Sequence, residues 1–193
     1  LARVFGAISG AAIERAVAGR EQELERLANT DPLTGLYNVR WLTDHLGRLL
    51  DHHRRYGHPF ALLVLDVDGL KRVNDSQGHA AGDRALVAVA DAIRSATRRV
   101  DAAARIGGDE FCVVAPQQTA DRARVIAERI AAGVEAAYPG LGASIGVAAC
   151  PEHGLDAERL LELGDEAMYR AKAAGRRVAL AESGGPAWAG ADR

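Results

Sequence analysis

Aromatic residues are scarce in this chain, with two Trp, four Tyr and three Phe among 193 residues. A ring-based core is excluded, and packing must come from aliphatic side chains and alanine. Cysteine is rarer still: Cys112 and Cys150 stand far apart among apolar or small neighbours. The spacing excludes a C-x-x-C redox pair or zinc cluster and leaves two buried thiols in a reducing compartment, which predicts a cytoplasmic location. No apolar run approaches the roughly 20 residues of a membrane span, and residues 1–19 lack the apolar stretch and cleavage site of a secretory signal. Charge of one sign is missing too. The 24 Lys plus Arg against 26 Asp plus Glu leave a net charge of -2 spread along the chain, so nothing points to nucleic acid as a partner.

What is present suffices for one domain of roughly 150 residues with a conventional core. Ile13, Val17, Leu24 and Leu27 recur at helical spacing among charged residues, which predicts an N-terminal helix, either an ordinary amphipathic one or the start of a helical pair. The chain opens inside this pattern, so it is expected to be a piece of a longer protein. Asp31-Pro32 marks a boundary, giving a linker helix at 1–29, a domain at 30–181 and a Gly-containing flexible tail at 182–193. Inside the domain, Trp41 to Leu50 repeat at helical spacing. Phe60 to Leu65 form a short, continuously apolar run, expected of a strand buried on both faces. A helix is predicted from Asp83 to about Arg99, and a hairpin from the runs 102–106 and 111–115. A helix over 119–137, a strand over 143–149, a helix over 155–174 and a last strand near 177–180 complete the series. The order predicts one sheet with helices on its faces.

Two acidic turns carry the candidate chemistry. Asp66-Val67-Asp68 leaves the most apolar strand, and Asp109-Glu110 follows Gly107-Gly108 at the hairpin tip. Carboxylates at a strand exit can hold a hard cation through oxygen, and glycines leave room for phosphates near the backbone. Each is also explained by an ordinary turn. Lys71 follows the first turn, and Lys172 and Arg176, four apart, are placed on one helical face as a phosphate grip or as solvated surface charge. Asn74 and Asp83 can accept from a base edge. Equally, Gly82-Asp83 reads as a helix N-cap. The residues alone stop at magnesium-dependent phosphate chemistry.

Taken together, the motifs resemble the GGDEF family of bacterial diguanylate cyclases. The signature is Arg105-Ile-Gly-Gly-Asp-Glu-Phe111, accompanied by Asp31-Pro-Leu-Thr-Gly-Leu-Tyr-Asn38, Asp66-Val-Asp-Gly-Leu-Lys-Arg-Val-Asn-Asp75, Ser144-Ile-Gly-Val147 and Met168-Tyr-Arg-Ala-Lys-Ala-Ala-Gly-Arg176, in order over about residues 28–180. The resemblance implies an α+β fold (an α/β sandwich), the nucleotide-cyclase palm, with a five-stranded, mostly antiparallel sheet, a ferredoxin-like core and surrounding helices. It implies that two GTP condense to cyclic di-GMP and two pyrophosphates in a homodimer, the active sites facing each other and the N-terminal helix setting their geometry. Asp66, Asp109, Glu110 and the Val67 carbonyl would hold two Mg2+, Mn2+ being able to substitute, and Glu110 is also a candidate base. Asn74 and Asp83 match guanine-binding positions. Gly69, Leu70, Lys71, Lys172 and Arg176 match phosphate-binding ones, although Leu70 stands where a Phe is usual. Arg98-Arg-Val-Asp101, with Arg129, resembles an inhibitory site for the product; a local ion pair is the plainer reading of Arg98 and Asp101. Residues 4–15 resemble the last helix of a GAF-type sensor. The alternative is an idle module that receives GTP or cyclic di-GMP, against which the intact acidic turns weigh.

Overall fold

The computed structural model describes residues 19–182 apart from 21, 22 and 26. The GAF-like segment and the tail from 183 onward lie outside them. Leu27 to Asn29 are helical, and Leu24 and Leu27 are exposed. Strand β1 (Tyr37–Asn38) leads straight into helix α1 (Val39–Tyr56), where Asn38 Oδ1 caps the first turn by accepting from Trp41 N at 3.0 Å. Helix α1 buries Leu42, Leu46 and Leu50, one per turn, and stops at Gly57 in the left-handed region with φ 72°.

The remaining elements are β2 (Phe60–Asp68), α2 (Leu70–Gln77), α3 (His79–Ala96), β3 (Ala102–Arg105), β4 (Glu110–Pro116), α4 (Ala120–Ala137), β5 (Gly142–Cys150), α5 (Ala157–Ala173) and β6 (Val178–Leu180). They form one sheet in the order β1-β3-β4-β2-β5-β6. Strand β2 runs antiparallel to both β4 and β5, while the outer pairs β1/β3 and β5/β6 are parallel. The expected α+β sandwich is therefore present with six strands rather than five. The expectation missed β1, which is only two residues long.

Strand β2 explains the layering. Its apolar run alternates sides: Leu63, Leu65 and Val67 join the core under α3 and α4, and Phe60, Leu62 and Val64 join a second core under α1 and α5. Both thiols are buried there, Cys112 and Cys150 among the second set. Helix α5 lies unusually close to the sheet. A Cβ on Gly146 would overlap the Gly164 carbonyl and Met168 N, so bare backbone sets the approach. That approach carries the end of α5, with Lys172, to the exit of β2.

Candidate active site

The β2–β4 register places Asp66 directly opposite Glu110, and the β2–β5 register places Asp66 opposite Ser144. Two carboxylates thus meet at the end of the two central strands, where the apolar ladder stops. The Gly-Gly turn docks on the same exit: Val67 N donates to the Asp109 carbonyl at 3.0 Å and Ile106 N to the Glu110 carbonyl at 3.0 Å. A Cβ at Gly107 would meet the end of the exposed Glu110 side chain, which lies over the turn. Glu110 is exposed, while Asp66 and Asp109 are half-buried.

Lys172 reaches this exit from α5. Its Nζ lies 2.6 Å from Asp66 Oδ1 and 3.6 Å from Asp68 Oδ1. The hydrogen bond to Asp66 raises the Lys172 pKa above its ordinary value; burial opposes this, and the charges of Asp66 and Asp68 add to it. Asp68 is held in turn by Ser144 Oγ, which donates to its Oδ2 at 2.8 Å. Arg176 does not share the helical face expected for it. Helix α5 ends at Ala173 and Gly175 turns the chain with φ 62°, so Arg176 follows the helix, and its exposed side chain is presented from a loop.

The next turn carries the other expected residues. Gly69 adopts φ 91° and caps α2, and any Cβ there would meet the Gly140 carbonyl at 2.8 Å. Arg72 fixes the turn by donating to that carbonyl at 2.5 Å. Leu70 is buried, and Lys71 projects into solvent from the first turn of α2. Asn74, on the same helix, has a buried Oδ1 with no hydrogen-bond partner. It packs against Gly82, where a Cβ would overlap that oxygen. Asp83 is not the N-cap read from sequence. Helix α3 begins at His79, more than a turn earlier, and Asp83 is exposed on it beside Gly82. An unpartnered acceptor at Asn74 and an exposed carboxylate at Asp83, the residue after the Gly82 that Asn74 packs against, are groups that can accept from a purine edge.

The Arg-x-x-Asp segment forms a separate cavity of about 670 Å³, lined by Arg98, Asp101, Arg94, Tyr37 and Trp41 and, from the N-terminal helix, by Glu25 and Asn29. Arg98 and Asp101 are not joined as a side-chain ion pair. The Arg98 backbone N–H donates to Asp101 Oδ2 at 2.7 Å, and Asp101 Oδ1 is buried and unpartnered. Arg129 stands in another groove of the same chain, its guanidinium bonded to the Ala96 carbonyl at the end of α3.

Sequence reading missed several partners. One is Asp68 with Ser144, visible in sequence only as the second acid of Asp66-Val-Asp68. Another is Arg105, which bonds Asp31 at 3.3 Å and the Gly108 carbonyl at 2.7 Å. Burial works against the Asp31 charge, but hydrogen bonds from Thr34 and the Arg105 guanidinium outweigh it and hold the carboxyl below its ordinary pKa.

Among the described residues no three Asp, Glu, His or Cys side chains are arranged around one cation position. The donor chemistry nonetheless suits a hard divalent ion. Carboxylate oxygens converge at the exit, and an ammonium group sits as a stand-in cation against Asp66 and Asp68.

Known proteins resemble this chain in sequence and in fold. DgcP of Pseudomonas aeruginosa, a diguanylate cyclase, is 38% identical over 162 residues, covering 80% of this chain and 24% of that protein. The response regulator PleD of Caulobacter vibrioides is 37% identical over 166 residues, covering 81% and 37%. The chain thus spans well under half of either relative. The crystal structure of the coiled coil and GGDEF domain of DgcB from Caulobacter crescentus, in complex with c-di-GMP, superposes with a TM-score of 0.79 at 31% identity, covering 91% of this chain and 96% of that one. A profile described as diguanylate cyclase, GGDEF domain, matches residues 28–178, and the chain belongs to the GGDEF family.

Proposed function

We propose that this chain is a diguanylate cyclase, joining two GTP into cyclic di-GMP with release of two pyrophosphates. The observation that carries the reading is the pairing of Asp66 with Glu110 across the β2–β4 register, with the Lys172 ammonium against Asp66. Asp66, Asp109 and Glu110, with the Val67 carbonyl, are the groups that would hold two Mg2+, or Mn2+ in their place. Such ions, when bound, supply charge neutralisation at the reacting phosphate and lower the pKa of the attacking hydroxyl. Lys172 leaves Asp66 for the triphosphate as the nucleotide enters. Lys71 and Arg176, both exposed, would add positive charge to the phosphates, with the amides of Gly69 and Leu70 beside them. The unpartnered Asn74 Oδ1 accepts from guanine beside Asp83. Glu110, exposed at the turn, accepts the proton of the attacking 3'-hydroxyl.

One chain holds one GTP, so two phosphodiester bonds require a homodimer with the turns facing each other. The exposed Leu24 and Leu27 of the N-terminal helix favour a helical pair there. Product returning to Arg98 and Asp101, with Arg129 as partner arginine, would inhibit; the orphaned Asp101 Oδ1 supports this. The reading implies a cytoplasmic enzyme, and no helix among the described residues is long and apolar enough to cross a membrane.

The test is mass detection of cyclic di-GMP after incubation with GTP and magnesium, using the chain alone and fused to a dimerising helix. Product from the fusion is expected, falling roughly 10²- to 10³-fold or more in Glu110→Gln. A fused dimer without product, or a Glu110→Gln variant as active as its parent, would overturn the proposal.

A further inference from the structure

The cavity beside the N-terminal helix contains more than arginine and aspartate. Tyr37 and Trp41 both line it, with ring centroids 3.5 Å apart and planes 5° from parallel. The other face of Trp41 is covered by His45, at 4.5 Å and 16°. Tyr37 is therefore the terminal ring of a three-ring ladder. One of its faces is taken by Trp41, it is 37% exposed, and it lines the cavity. Such a ladder is uncommon in a chain with so few rings, and nothing in the catalytic reading uses it.

The ladder is also anchored. Tyr37 bridges Thr30 and pairs with Ala104 of β3, Asn38 ties the turn back to the Ala28 carbonyl at 2.8 Å, and Trp41 is held in the first turn of α1. Held rings lose little freedom when a planar group stacks on them. The same cavity is lined by Arg94, Arg98, Arg99 and Asp101, whose buried Oδ1 has no hydrogen-bond partner. Arg94 is already engaged with Asp91 and the Thr34 carbonyl. Arg98 and Arg99 are exposed and available to an anion. A planar π surface, a carboxylate oxygen wanting a donor and two cations describe a pocket for a guanine nucleotide: base on the ring, N1 and N2 groups to Asp101, phosphate to the arginines.

We infer that Tyr37, backed by Trp41, is the base-stacking wall of the product-binding cavity and sets its preference for a guanine base. This rests on the reading of Arg98 and Asp101 as the inhibitory site and adds residues that reading did not include. Glu25 and Asn29 of the N-terminal helix line the same cavity. A nucleotide stacked on Tyr37 therefore touches both the linker helix and the catalytic domain of one chain.

Trp41 supplies a direct readout. The chain has two tryptophans, Trp41 and Trp188, so in a Trp188→Phe background all tryptophan emission comes from Trp41. Titration of that protein with cyclic di-GMP is expected to change Trp41 emission saturably, over the same concentrations that calorimetry gives for binding. Arg98→Ala in this background should abolish the change. Tyr37→Leu should weaken calorimetric binding by about 5- to 150-fold, and Tyr37→Phe should keep parental affinity. Binding without any change in Trp41 emission overturns the stacking wall. So does parental affinity in a folded Tyr37→Leu, or equal loss in Tyr37→Phe and Tyr37→Leu. If Arg98→Ala binds as the parent does, the inhibitory reading fails as well, which separates the two failures. Should Tyr37→Leu unfold, the Trp41 titration and Tyr37→Phe decide the question by themselves.

Discussion

The acidic exit of β2 and the arginine-lined cavity beside the N-terminal helix both place charge around a polar ligand, but they are assembled differently. At the exit, the central groups are fixed by strand register or by a helix that touches the sheet through bare glycine. Asp66, Glu110 and Ser144 are cross-strand neighbours, and Lys172 arrives because Gly146 lets α5 approach. The cavity is drawn from ends and turns: the close of α3, the start of β3, a two-residue strand and the N-terminal helix. A site set by register can tolerate chemistry that needs atoms placed within tenths of an ångström. A cavity built from element ends can change shape when one of its walls moves. The difference matches the roles proposed for them, turnover for one and control for the other.

The largest expected effect tests whether the two are separable. Asp66→Asn removes the charge that faces Glu110 and holds Lys172, and is expected to lower kcat/KM for GTP by roughly 10²- to 10³-fold in the dimerised protein. Cyclic di-GMP affinity measured by calorimetry should stay within a factor of about two, because no wall of the cavity touches Asp66. Loss of both would show that the regions are one cooperative unit.

Arg105 is the physical link between them. It bonds Asp31, in the turn that leads to Tyr37, and the Gly108 carbonyl of the catalytic turn, and both side chains of the ion pair are mostly buried at 15% and 18% exposure. Asp31→Asn should cost about 1–3 kcal/mol at pH 7, read as a lower urea midpoint. Because the folded Asp31 carboxyl has a pKa below the ordinary 3.8, its contribution is complete above that value and is lost as pH falls through the folded pKa. The gap between variant and parent should therefore close below about pH 4 and not between pH 5 and 8. A gap independent of pH would mean that packing, not charge, makes the link.

Much of this was legible in sequence where pattern is local. The apolar run 60–65 announced the central strand, and the two acidic turns announced the site. Three features were not. Helix α2 buries only Leu70 and Val73 and shows no full apolar repeat. Arg176 continued the helical spacing of Lys172, and only the backbone shows the break at Gly175. The partnerships Asp68–Ser144 and Asp31–Arg105 join residues more than seventy positions apart, and nothing local marks them. The family resemblance filled in roles for single residues, while the contacts that hold those residues came from the fold.

Gly82 shows the same distinction at its smallest scale and sharpens what register means for the exit. Its side chain is a hydrogen because Asn74 Oδ1 occupies the space where a Cβ would stand. Gly82→Ala adds helix propensity of roughly 1 kcal/mol to an α3 interior position, but its Cβ fits only if the Asn74 side chain turns away from where it now stands. If Asn74 is a base acceptor, that displacement should weaken nucleotide binding. The variant is expected to raise KM for GTP about tenfold, equivalent to about 1.4 kcal/mol, while kcat changes little, because the role proposed for Asn74 is at the base and not at the reacting phosphate. Its affinity for cyclic di-GMP at the cavity should match the parent's. A Gly82→Ala protein that melts higher and keeps its KM would show that Asn74 merely fills space, and would move guanine selection to Asp83 alone.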